Sequence, residues 1–260
     1  MGGRTMRAVN PHLRQGLLVL VALAALQPAA AWADRYSDAV SHEGRPAEDV
    51  KRDEIDHPAE VLRLSGIRDG LVVADFLAAD GYYSELLSYL VSPRGKVYLL
   101  NNDAYDKWSE NQWQARTTRL PNVEHRTITV EHLGLPAQSL DAILVIKVYH
   151  DLYWHPDQGP WPKDVDANAA LTEIARVVKP GGILLLVDHS AKPGTGSADA
   201  GPLHRIDEQY ARRDFEKHGF ELVHTSEVLR RPDDTRALIT YKGAMVGKTD
   251  RFVMVFRKRH

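Results

Sequence analysis

Three histidines in this chain stand beside or near carboxylates. His150-Asp151 lies within Val148-Tyr149-His150-Asp151-Leu152-Tyr153-Trp154-His155. Asp188-His189 closes an apolar run, and His204-Arg205-Ile206-Asp207 follows a Gly-rich stretch, 192–202, that would serve as a lid or a flexible connection. An imidazole titrates near neutral pH and can take a proton from a hydroxyl or amine, while a carboxylate orients it. His150, Asp151 and His189 are therefore the candidate catalytic residues. Their spacing matches no short metal-ligand motif, so no metal is expected. Tyr82, Tyr83, Tyr149, Tyr153, Trp154 and Trp161 could line a pocket, but aromatics near loops more often pack, and no substrate is read from them.

The scaffold for these groups is written most plainly in Leu171 to His189, LTEIARVVKPGGILLLVDH. Leu171, Ile174, Ala175, Val177 and Val178 recur at helical spacing. Pro180 ends that helix, the glycines turn the chain, and Ile183 to Val187 reads as a strand covered on both faces. Similar signals predict strands at 71–76, 96–100, 123–130, 141–146, 220–228 and 251–257. Helices are expected at 47–64 (restarting at Pro58), 82–90, 104–116 and up to His218. Alternation of the two element types implies an α/β fold, a mainly parallel sheet covered on both sides.

The N-terminus carries a different signal. Arg4, Arg7 and Arg14 precede the apolar run Gly16 to Leu26, and Ala31-Trp32-Ala33 supplies a small-x-small cleavage pattern. Residues 1–33 thus read as a signal peptide cleaved after Ala33, which predicts a periplasmic or secreted protein with no membrane insertion after cleavage. Cleavage removes three arginines and no acid, moving the formal charge from −2 to −5. No basic patch points to nucleic acid. The absence of cysteine excludes a disulfide framework. Polar residues 34–45 are expected to form a flexible leader and 46–260 one domain.

The helix-turn-strand of Leu171 to His189 resembles the segment that precedes the substrate side of class I S-adenosylmethionine (SAM) methyltransferases. The resemblance runs from Pro46 to His260 and implies a Rossmann-like, doubly wound sheet of seven strands ending in an antiparallel hairpin. Asp56-His57-Pro58-Ala59-Glu60, Asp188-His189, His204-Arg205-Ile206-Asp207 and Gly247-Lys248-Thr249-Asp250-Arg251-Phe252-Val253 resemble a narrower group, predicted methyltransferases of Gram-negative bacteria that often carry signal peptides.

That resemblance implies SAM as cofactor, held beyond the carboxyl ends of the strands, and a small-molecule acceptor of unknown identity. The family's first turn has an acid and then alternate glycines. In this chain Asp75 takes the acidic position, Leu77 and Ala79 the first two glycine positions, and Gly81 the last. Leu77 would place a branched side chain where the amino-acid end of SAM lies, reshaping the loop or weakening binding. Asn101 stands where an acid grips the ribose, with Asp103 as a substitute, and Glu131 and Leu133 fall on the adenine side. Such departures leave open a non-catalytic periplasmic binding protein with the same fold, or another small-molecule enzyme built on it. Neither the acceptor nor the oligomeric state is written in the residues.

Overall fold

The computed structural model describes residues 1–3 and 29–260, with side chains from Arg35 onward. The basic and most of the apolar parts of the expected signal peptide fall outside the described residues. Among the described residues, the first elements are helices α1 (Ala29–Val40), α2 (Ala47–Asp56) and α3 (Pro58–Arg63). There follow β1 (Val72–Phe76), α4 (Tyr82–Val91), β2 (Lys96–Asn101), α5 (Asp103–Trp108), α6 (Trp113–Arg119), β3 (Val123–Thr127) and β4 (Leu140–Ile146). The second half contains α7 (Ala167–Val177), β5 (Val178–His189), α8 (Ala200–Leu203), α9 (Glu208–Lys217), β6 (Phe220–Ser226) and β7 (Arg251–Lys258).

Seven strands form one sheet in the order β3-β2-β1-β4-β5-β7-β6. The pairs from β3 to β5 are parallel, and β7 runs antiparallel to both β5 and β6. The expected α/β, doubly wound sheet with a closing hairpin is the one observed. Side-chain alternation explains why it needs helices on both faces. Ala74 and Phe76, Ile143 and Val145, and Leu184 and Leu186 point into one apolar core with α7 and α9. Val73, Ala142 and Leu144, and Leu185 and Val187 point into the other, with α1, α3 and α4. A strand buried on both faces has polar freedom only at its ends. The chain starts at β1, winds outward to β3 and returns to β4, so the switch point lies between β1 and β4.

Three local expectations are corrected. Residues 34–45 are not a loose leader. Tyr36 and Ala39 lie on one face of α1 and are buried, and the Tyr36 hydroxyl donates to the Ile67 carbonyl at 2.9 Å. Arg45 is buried too, in a two-pronged pair with Asp53 at 2.7 and 2.9 Å. Composition marked this segment as polar, but its few apolar residues share a helical face. The predicted cleavage point after Ala33 falls inside α1. The helix expected over 104–116 is two, α5 and α6, because Glu110 and Asn111 adopt left-handed angles, φ 52° and 56°. Lys179 to Gly182 is a bulge within β5: Leu140 pairs with Val178, yet Ala142 pairs with Ile183. Among the described residues no helix is long and apolar enough to cross a membrane.

Candidate active site

The loop joining β1 to α4 keeps the backbone shape that glycines usually supply. Leu77, Ala79 and Gly81 have φ of 52°, 54° and 85°. For the two non-glycine residues this conformation costs roughly 1–2 kcal/mol each, so the surroundings must enforce it. They do so with hydrogen bonds. The Ala78 N–H donates to the Leu100 carbonyl at 3.1 Å and the Gly81 N–H to the Ala78 carbonyl at 2.9 Å. Asn101 accepts from the Ala79 N–H and donates back to the Ala79 carbonyl, both at 2.9 Å. Arg116, from α6, donates to the Asp80 carbonyl at 2.7 Å and pairs with Asp49 of α2. At Gly81 a Cβ would meet Leu99 Cδ1 at 2.7 Å, so the start of α4 needs glycine for packing as well as for φ.

Two expectations for this loop change. The Leu77 side chain turns into the apolar core, 2% exposed, and does not protrude toward a ligand. Asn101 is fully buried, and its second amide proton goes to Asp106 Oδ1 at 2.8 Å, so both of its donors are spent on the protein. It clamps the loop and offers no proton to a ribose. Asp75 does stand at the loop's root, buried, accepting from Ser84 Oγ at 2.8 Å. Burial pushes its carboxyl up to about 7, against the Ser84 hydrogen bond. On the adenine side, Leu133 is core and its N–H donates to Glu173 Oε1 at 2.9 Å. Glu131 Oε1 accepts from the Asp166 N–H at 3.1 Å.

Beside the loop lies a charged group that sequence reading did not assemble. Asp56, the last residue of α2, is buried among Arg52 and Lys147, each at 2.8 Å, and Arg251. Lys147 follows β4 with φ 60°, and the Arg52 guanidinium lies 3.9 Å above the Tyr82 ring. Burial would raise the Asp56 carboxyl, but Lys147, Arg52 and Arg251 hold it far below the usual range. Lys147 is pulled down to about 8, by burial first and then by the Arg52 charge, although Asp56 opposes this. The two partners differ because three cations share one carboxylate. The residues come from α2, the position just after β4, and β7, so no local motif announces them.

A second polar group lies past β4 and β5. His150 opens a single 3-10 turn, His150–Tyr153, directly after β4. Its Nδ1 lies 2.7 Å from Asp188 Oδ1 and its backbone N–H donates to Asp188 Oδ2 at 2.9 Å, so the carboxylate fixes ring and main chain together. Its Nε2 faces His204 Nδ1 at 3.2 Å and Asp151 Oδ1 at 3.4 Å. Asp151 Oδ2 accepts from the Tyr105 hydroxyl at 2.5 Å. Burial would lower the His150 imidazole, but Asp188 and Asp151 lift it to about 9. Burial, reinforced by the His150 charge, pushes His189 well below its ordinary value, and its Nδ1 lies 2.8 Å from Thr249 Oγ1. His150 thus holds its proton at neutral pH and donates. His189 is the neutral imidazole able to accept one. The structure brings His150, Asp151 and His189 to one edge of the sheet, with the His150 and His189 ring centroids 6.1 Å apart. The 192–202 stretch is tied down as well, since the Asp207 N–H donates to the Gly196 carbonyl at 3.1 Å and Asp207 accepts from the Gly194 N–H.

Comparison with known proteins bears on this arrangement. Residues 77–186, from the loop to the middle of β5, match the family model described as a methyltransferase domain. The ubiquinone/menaquinone biosynthesis C-methyltransferase UbiE of Shewanella oneidensis is 28% identical over 130 residues, 50% of this chain and 47% of that protein. The chain therefore spans about half the length of the curated relatives it matches. A SAM-dependent methyltransferase from Aquifex aeolicus has the same fold, with a TM-score of 0.59 and 22% identity, covering 83% of this chain and all of that one. The [4+2]-cyclase SpnF also shares it, with a TM-score of 0.55 and 15% identity over 88% of this chain and 93% of its own. The matched region holds the β1–α4 loop, β2 to β4 and His150 with Asp151, and over it this chain is similar to methyltransferase domains, while its fold is that of the SAM-dependent enzyme.

Proposed function

We propose that this chain transfers a methyl group from SAM to a small-molecule acceptor past the carboxyl ends of β4 and β5. The observation that carries the reading is the loop at Leu77, Ala79 and Gly81. It holds three left-handed residues where the family uses glycines, and it bears the strain at two of them. A loop under no such demand would have relaxed. The neighbouring charges also fit the cofactor's amino-acid end. Arg52, Lys147 and Arg251 outnumber Asp56, and the surplus of positive charge suits a carboxylate. Asp75 would lie on the ammonium side. The ribose side departs from the family, since Asn101 is engaged with Ala79 and Asp106.

Bound SAM supplies a methyl group already activated on a sulfonium, so the protein needs mainly to align it with the acceptor. His189 would take a proton from an acceptor hydroxyl or amine. His150, held by Asp188 through Nδ1, turns Nε2 to His204 and Asp151 and so shapes the edge beside the acceptor. Calorimetric titration of the purified protein with SAM and with S-adenosylhomocysteine tests this reading. Saturable binding supports it, and no heat at millimolar ligand rejects it.

We also propose export, with the mature chain periplasmic or secreted, on the order of basic, apolar and small-residue segments in 1–33. The N-terminal sequence of protein recovered from its native host checks this. A chain starting at Met1 would overturn it.

A further inference from the structure

We propose that His150, Asp151 and His204 form a binding site for a single divalent transition-metal ion of the zinc class. The three donor atoms are His150 Nε2, His204 Nδ1 and Asp151 Oδ1. They stand 3.2, 3.4 and 3.6 Å apart, edge by edge. Zinc bonds of roughly 2.0–2.2 Å in a tetrahedron require ligand-to-ligand edges about 1.6 times as long, roughly 3.3–3.6 Å. The triangle already has the size of one face of that tetrahedron.

The surroundings match what a metal site needs beyond its ligands. A ligating imidazole commonly gives its other nitrogen to a carboxylate, which sets the tautomer and the ring direction. Asp188 does this for His150, from a fully buried position, at 2.7 Å. The Tyr105 hydroxyl holds the far oxygen of Asp151 and leaves the near one for the ion. His204 is fixed through its neighbour Arg205. That residue is wholly buried and bonded to Asp234 at 2.8 and 3.2 Å and to the Ser190 carbonyl at 3.0 Å. The His204 ring itself sits edge-on to Trp154 and Tyr241, with ring centroids 4.9 and 4.7 Å away.

Charge balance points the same way. Once the ion displaces the proton on His150 Nε2, the two imidazoles are neutral, and Asp151 with Asp188 supplies two negative charges that one divalent cation offsets. The donor set of two nitrogens and one oxygen suits zinc, cobalt or nickel better than magnesium or calcium, which prefer oxygen alone. Three protein donors leave the fourth vertex for water or for a heteroatom of a substrate, the pattern of catalytic rather than structural zinc. The sequence hid this group because residues 150, 151 and 204 meet only when β4 and the segment after β5 lie side by side.

The test uses untagged, full-length protein, stripped with a chelator and titrated with cobalt(II), then with zinc(II). The expected result is one equivalent of cobalt with the intense visible bands of tetrahedral coordination, displaced by zinc. His204→Ala and Asp151→Asn should abolish those bands, and Tyr105→Phe should weaken affinity by about 10–100-fold. Circular dichroism separates loss of a ligand from loss of the fold, and His42→Ala, at an exposed distant histidine, should bind like the parent. Absence of cobalt bands in the folded parent overturns the proposal, as do bands that persist in both His204→Ala and Asp151→Asn. SAM plays no part in this measurement, so its outcome is independent of the methyl-transfer reading.

Discussion

Replacing Leu77 by glycine separates two accounts of the β1–α4 loop. If the leucine merely intruded on a ligand, glycine would cost nothing and would tighten SAM. The structure assigns it a different load. Its side chain is 2% exposed in the apolar core beside Phe76, Leu100 and Val148. Removing a buried leucine to alanine costs about 2–5 kcal/mol, and the further step to glycine adds roughly 0.5–1 kcal/mol of unfolded-state entropy. Relief of the left-handed angle returns about 1–2 kcal/mol. The net expectation is a loss of about 0.5–5 kcal/mol. A domain of this size changes its Tm by about 2–4 °C for each kcal/mol. Ala79→Gly is the internal control. Ala79 has φ 54° but a side chain of one methyl, so relief of strain slightly outweighs the glycine entropy cost, leaving a gain of about 0–1.5 kcal/mol. Thermal and denaturant unfolding of both variants measure these values. A Leu77→Gly protein as stable as its parent, with tighter SAM binding, would refute the assignment of Leu77 to the core.

Asn101→Asp, the change toward the family's acid, should destabilise by about 3 kcal/mol, since it turns a carboxylate onto the Ala79 carbonyl and the Asp106 carboxylate. Adding Asp106→Asn should recover part of the loss in denaturant titrations, and no recovery would remove the clamp from the explanation. Asp75 titrates near 7 when folded and near 3.8 when unfolded, so the unfolded chain gives up its proton first and stability falls as pH rises from about 4 to 7. The upper bound on that fall is about 4 kcal/mol. Asp75→Asn should flatten the profile of stability against pH over that window, and an unchanged profile would assign the slope to other groups. Arg52→Met removes one of the cations around Asp56 and should weaken SAM binding about tenfold by calorimetry, the worth of one charge-assisted hydrogen bond. Unchanged affinity would place the carboxylate of SAM elsewhere.

The sheet was legible because its signals are local and redundant. Ile183 to Val187 is apolar without interruption, as a strand buried on both faces must be, and β1 and β4 repeat the pattern. The edge position of His150, Asp151 and His189 was legible for the same reason, since a chain leaving such a strand can first afford polar groups at its end. Partners were not legible. That His150 answers to Asp188 depends on the register of β4 against β5, and that Asn101 holds Ala79 depends on β1 against β2. The left-handed angles at Leu77 and Ala79 could not be read either, because the residue types there argue against the conformation they adopt. The buried face over residues 35–45 was missed because Tyr36, Ala39 and Val40 are set in a stretch otherwise polar.

The hydrogen bond from Tyr105 to Asp151 ties the two halves of the site together. Tyr105 lies in α5, which follows β2, and Asp151 follows β4, so their contact passes over the end of β1, which stands between them in the sheet. That is the switch point, where the two windings diverge and leave a crevice. On one side of the crossing are the strained loop and its clamp, Asn101. On the other are His150, His204 and Asp188. α5 is short, six residues, and its own start is pinned by Asn102, whose side chain accepts from the Tyr105 N–H at 2.9 Å. One helix therefore reports the position of the β2 end to the carboxylate that faces both histidines. A change at Asn101 or Asn102 should then be felt at Asp151, about fifty residues away in sequence, through a single phenolic hydroxyl. Double-mutant cycles between Asn102→Ala and Asp151→Asn, read by unfolding, should show coupling of about 0.5–3 kcal/mol. Tyr105→Phe should abolish that coupling, whereas two independent half-sites would give additive losses with or without the hydroxyl.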